Sequence, residues 1–167
     1  LFVFVSHGTT RFVKSRVAWA PARPALGGVV VAGCIALAGT RYAGLGVPVI
    51  LESFSGPVPP WDFLLKLLLT ALTVGVGFKG GEVTPLFFVG ATLGNALAPA
   101  LGLPLPLLAG MGLVAVFGAA ANTPLACIVM AMELFGAGAG PYAALACVAA
   151  LWASGNSTIY VAQRRQE

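Results

Sequence analysis

Charge is what this sequence has least of. Only 8% of its 167 residues are Asp, Glu, Lys or Arg, whereas 59% are hydrophobic and the mean hydropathy is +0.96. A soluble domain carries about 25% charged residues. No charged residue falls between Arg23 and Arg41, between Glu82 and Glu133, or between Glu133 and Arg164. A soluble helix hides one apolar stripe, but these segments are apolar on every side, as lipid or a large membrane bundle requires. The scarcity therefore excludes a soluble domain. It also argues against nucleic acid as a partner, because the formal charge of +4 comes from basic residues scattered at segment ends.

Chemistry-bearing residues are scarce too. His7 is the only histidine, and a single His at a helix surface implies no chemistry. Cys34, Cys127 and Cys147 each lie inside an apolar run, with no short spacing to one another or to His7. That pattern argues against a disulfide framework or a zinc site and suits buried filler residues. The sequence lacks His-Glu-x-x-His, Gly-x-Ser-x-Gly and paired intramembrane acids, so an intramembrane enzyme finds no nucleophile, base or metal set. No metal or cofactor is implied. "LFVFVSHGTTRFVKSR" does not read as a secretory leader, since it places its apolar piece before its basic piece. Without an initiator Met, residues 1–20 read as the end of a preceding helix and the chain as a partial sequence.

What is present is a series of short apolar segments punctuated by Gly and Pro. Pro24–Thr40 and Pro60–Gly77 are nearly long enough to cross a bilayer, which takes about 20 residues. Gly46–Phe54, Pro85–Ala100, Pro106–Gly118, Thr123–Phe135 and Pro141–Gly155 are shorter, and several begin with Pro, whose missing N–H costs nothing in a first helical turn. Backbone breaks at membrane depth are tolerated only inside protein or beside a watery cavity, so the chain is expected to build such a cavity. The expected fold is all-α: a polytopic membrane protein of short, broken and tilted helices. Arg11, Lys14, Arg16 and Arg23 at one end and Arg164 and Arg165 at the other resemble cytoplasmic flanks.

The break with most content is "GFKGGEVTPLFFVGATLGNALA", Gly77–Ala98. Gly80 and Gly81 read as a hinge, Thr84 as a helix N-cap and Pro85 as the first helical residue. The N–H groups of Glu82, Val83, Thr84 and Leu86 would then lack helical partners, and such groups facing a cavity bind anions. An ordinary loop-to-helix turn reads equally well from the local pattern.

"GGEVTPLFFVGATLGNALA", followed by "AGMGLVAVFGAAANTPLACIVMAMEL", resembles the C-terminal half of a CLC-type chloride channel or transporter. Gly90 and Gly94 supply the G-x-x-x-G step of that family's helix, and Pro124 and Glu133 fall at its Pro and Glu. The ordinary chloride members have G-x-F-x-P at the first motif. Val83, Thr84 and Glu82 depart from it and resemble the CLC-F clade, the bacterial fluoride/proton antiporters.

The resemblance implies one inverted repeat of the CLC fold over 21–167. The missing N-terminal repeat would hold the gating, proton-carrying glutamate and the Asn or Met that marks the fluoride clade. It implies fluoride, or alternatively chloride, and protons as the transported partners, a homodimer when complete, and a multi-pass location in the cell membrane, the bacterial inner membrane. Thr84 matches the clade's central threonine, and Tyr160 in "GNSTIYVAQRR" matches the tyrosine that faces the anion. From the residues alone, Tyr160 beside Arg164 and Arg165 also suits an interfacial anchor.

Other polar residues carry modest expectations. Lys79 and Glu82 are spaced to pair at an aqueous mouth or to draw anions in, and Glu133 suits a helix-end structural acid more than a relay. Glu52 and Asp62, flanking the loop "SFSGPVPPW", read as solvated residues. Asn122 and Asn156 read as caps and Asn95 as a hydrogen-bonding link to a neighbouring helix. The small-residue face of Gly90, Gly94 and Ala98 also suits a scaffold that binds another membrane subunit.

Overall fold

A computed structural model describes residues 2–16, 19, 22–78 and 80–155. Among them the apolar segments form eight α-helices: α1 (Phe2–Arg16), α2 (Ala22–Ala38), α3 (Val47–Ser55), α4 (Asp62–Gly75), α5 (Val83–Leu101), α6 (Leu105–Ala121), α7 (Pro124–Phe135) and α8 (Gly140–Ser154). Short 3-10 turns at Thr40–Tyr42 and Ala137–Ala139 complete the pattern, and no strand occurs among the described residues. Proline opens α3, α6, α7 and α8 within their first two positions, as the segment boundaries led one to expect. The helices end where glycine or asparagine turns left-handed: Gly102 (φ 63°) after α5 and Asn122 (φ 55°) after α6.

The helix α5 is the axis of the structure. It lies closest to α6, with α4 on another side and α3 touching both α5 and α6; α7 and α8 pack on α6, while α1 and α2 pack on α4. The α5–α6 contact depends on three glycines. A Cβ at Gly90 or Gly94 would overlap the backbone of Gly112–Leu113 or Leu108–Ala109, and one at Gly112 would overlap Gly90. Without side chains in between, the two backbones meet directly, which is how small residues let membrane helices associate. Gly90, Gly94 and Ala98 are thus buried within this chain rather than offered to another subunit, which corrects the scaffold expectation for that face.

Beyond α6, Val114, Cys127, Ala131, Ala143 and Cys147 close a tight apolar core, with both of these cysteines buried. On the other side, Leu67 and Ala71 of α4 meet Leu86 and Val89 of α5. Phe88, fully buried, packs against Tyr42 and Val49. Two helical stretches, Val83–Leu101 and Ala137–Ser154, are long and apolar enough to cross a membrane, and three further apolar helices are shorter. Leu125, Leu145, Val148 and Trp152 stand exposed on α7 and α8.

Candidate functional site

The approach to α5 begins where α4 ends. Gly77 turns the chain with φ 104°, and the Phe78 N–H returns to the Thr73 carbonyl at 3.3 Å. Gly77 is therefore the position whose backbone requires glycine. At Gly80 and Gly81, the expected hinge, a Cβ would meet nothing within 4 Å, and Gly81 has no positive φ. They are exposed, and they contribute uncovered backbone. Lys79 lies outside the described residues, so the expected Lys79–Glu82 pair does too.

The helix starts two positions earlier than the sequence suggested. Val83 is its first residue and Glu82 occupies the cap position, with no side-chain cap, so Thr84 is not the N-cap and Pro85 is the third helical residue. The Leu86 N–H donates to the Glu82 carbonyl at 3.2 Å. Leu86 is therefore withdrawn from the expected set of anion donors. Val83 and Thr84 remain as first-turn N–H groups with no partner among the described residues, and Pro85 contributes none. The Thr84 side chain is half-buried, and its hydroxyl has no partner among the described residues.

Cavities lie on both sides of this approach. One of about 400 Å³ is lined by residues that include Lys66, Thr70, Thr73, Gly80, Gly81 and Pro85. The other, about 560 Å³, is lined by residues that include Thr10, Arg23, Gly77, Gly80 and Glu82. Val74, Phe78 and Gly80 line both, so the glycine-rich approach forms a wall between them. The breaks in the sequence do build cavities, and α5 begins at one.

Next to the first cavity is a polar cluster that the sequence reading missed. Asp62, the first residue of α4, is fully buried and accepts from Arg41 Nε at 2.9 Å and from the Tyr42 hydroxyl at 2.6 Å. Arg41 Nη1 reaches Glu52 at 2.7 Å. Neither acid is merely solvated, because the α2–α3 connection folds back and brings Arg41 to both. Burial, then the hydrogen bond to Asp62, pushes the Tyr42 phenol on this turn up to about 12. One turn along α4, Lys66 is 2% exposed and donates to the carbonyls of Tyr42 at 2.9 Å and Gly44 at 2.6 Å. A lysine inside "DFLLKLLLTAL" was the available signal, since ionisable residues within apolar membrane segments usually mark function.

Asn95 forms the expected link to a neighbouring element, accepting from Val58 N–H and donating to the Ser53 and Gly56 carbonyls. Asn122 ends α6 rather than starting α7. Tyr160, Asn156, Arg164 and Arg165 lie outside the described residues, as does the His7 side chain.

The model for the voltage gated chloride channel family matches residues 1–155. The chain belongs to that family. This CLC chain is 53% identical over 171 residues to a chloride/fluoride channel protein of Pseudomonas syringae pv. tomato, an alignment that covers 98% of the chain and 38% of the relative. It superposes on the crystal structure of a CLC-type fluoride/proton antiporter with a TM-score of 0.92 at 39% identity, covering 98% of this chain and 42% of that one. The all-helical CLC architecture is therefore shown. The CLC chain spans less than half the length of either relative.

Proposed function

We propose that this chain forms the C-terminal part of a membrane transporter that exports fluoride in exchange for protons. The observation that carries this is the start of α5: a half-buried "EVTP" turn whose Val83 and Thr84 N–H groups and Thr84 hydroxyl lack partners among the described residues, next to Gly80, Gly81 and Pro85, which line a cavity. A helix N-terminus holds partial positive charge, and fluoride, small and strongly hydrated, needs donors to replace its water. Similarity to a chloride/fluoride channel protein and to a fluoride/proton antiporter supports the same ion.

In this mechanism fluoride sits against the Val83 and Thr84 N–H groups, with the Glu82 N–H at the edge. The Thr84 hydroxyl donates to it, and the Tyr160 hydroxyl closes the site, as the family resemblance implies. Protons move on a glutamate of the partnering N-terminal repeat. The complete protein is a homodimer in the bacterial inner membrane. Small side chains and a backbone without large obstacles at Gly80–Gly81 leave the ion room to approach.

Fluoride efflux from liposomes, read with a fluoride electrode, tests this on the chain joined to an N-terminal repeat of a relative. Thr84→Val keeps the shape and removes only the hydroxyl. It should lower fluoride efflux about tenfold, the effect of one hydrogen bond to an ion. Unchanged efflux removes Thr84 from the site. Chloride moved as well as fluoride by the unmutated protein favours the chloride channel or exchanger alternative instead.

A further inference from the structure

A buried ammonium needs a counter-charge or a full set of hydrogen bonds. Lys66 has no carboxylate partner among the described residues, because Asp62 is held by Arg41 and Tyr42. Its ammonium makes two hydrogen bonds, to the Tyr42 and Gly44 carbonyls, and lies 5.2 Å from the centre of the Phe88 ring. An ammonium has three donors, so one N–H is left over. The open space next to Lys66 is the cavity of about 400 Å³ that runs on to Gly80, Gly81 and Pro85. Thr70, one turn after Lys66 on α4, lines the same cavity, and its hydroxyl has no partner among the described residues.

We propose that Lys66 and Thr70 form a second halide station in this cavity, on the way to the first turn of α5. The inference rests on the anion-transport reading and adds to it a site on α4. An anion there completes the donor set of Lys66, accepts from the Thr70 hydroxyl, and is brought beside the exposed backbone of Gly80–Gly81. The two carbonyl bonds keep the ammonium on the cavity wall, so it attracts the ion without following it.

The test uses the chain joined to an N-terminal repeat, in vesicles of bacterial polar lipid, with efflux titrated first against fluoride and then against chloride. Lys66→Met should raise the half-saturating halide concentration about tenfold, equivalent to about 1.4 kcal/mol. Lys66→Arg, which keeps the charge, should bring it back to within about threefold. Thr70→Val should raise it about threefold, as loss of one hydrogen bond does. A lysine that only ties the 42–44 turn would lower melting temperature or maximal rate and leave half-saturation alone; that result overturns the station. If Lys66→Met does not fold, Thr70→Val decides, and unchanged half-saturation in that variant overturns it equally. Should the unmutated protein move chloride and no fluoride, the fluoride assignment falls, and the station is then judged from the chloride titration.

Discussion

Asp62 gives the strongest test of how the structure is held together. Its carboxylate is fully buried at the start of α4, where negative charge also meets the favourable end of the helix dipole. Asp62→Asn keeps an acceptor for the Tyr42 hydroxyl but turns an amide towards Arg41 Nε, which can only donate. One charge-assisted hydrogen bond is worth about 1.5–3 kcal/mol. The Arg41 side chain is 30% exposed and keeps Glu52, so the lower part of that range applies and Asp62→Asn should cost about 2 kcal/mol. Asp62→Ala also strands the Tyr42 hydroxyl and should cost about 4 kcal/mol, as loss of one partner of a buried ion pair does. Tyr42→Phe alone should cost about 1 kcal/mol. Thermal unfolding in detergent of the chain joined to an N-terminal repeat measures all three, and the cycle through Asp62→Ala with Tyr42→Phe isolates their coupling. An Asp62→Asn variant within about 0.5 kcal/mol of the original, or zero coupling between positions 42 and 62, refutes the network.

Gly94→Ala places a methyl group on the Leu108 backbone and should lower stability by about 1–3 kcal/mol; Gly33→Ala, where a Cβ meets nothing within 4 Å, should be neutral or raise it. Asn95→Leu strands the Val58 N–H and the Ser53 and Gly56 carbonyls and should cost about 3 kcal/mol by the same unfolding measurement. The Tyr42 phenol has a folded-state value raised to about 12 from an ordinary 10. Its contribution to stability is therefore complete below pH 10 and is lost as pH rises through about 12, an alkaline loss that Tyr42→Phe should abolish in unfolding curves taken across that window.

Much of the architecture was legible because membrane helices announce themselves in composition. Gly and Pro marked the helix ends to within a few residues, and the G-x-x-x-G step at Gly90–Gly94 marked the closest helix contact. The start of α5 was harder to place. Thr-Pro is a strong local cap signal, yet helical geometry continues back to Val83, which moves Thr84 inside the first turn and commits the Leu86 N–H. A two-residue shift of this kind decides which N–H groups are available, and propensity does not resolve helix ends that finely.

Composition and local pattern mark an all-helical membrane chain, the places where its helices break, and a glycine-rich turn ahead of α5. Those properties follow from local chemistry: apolar runs, the missing N–H of proline and the backbone freedom of glycine. What the few charges do emerges only from packing. Glu52 and Asp62 look like loop acids until the turn at Thr40–Tyr42 brings Arg41 to both, and Lys66 looks like a stray cation until a cavity opens beside it. Arg41 and Asp62 are far apart in the chain, and no local pattern encodes their meeting. It is set by how α3 and α4 pack on α5 and α2 packs on α4, and packing is a property of the whole fold.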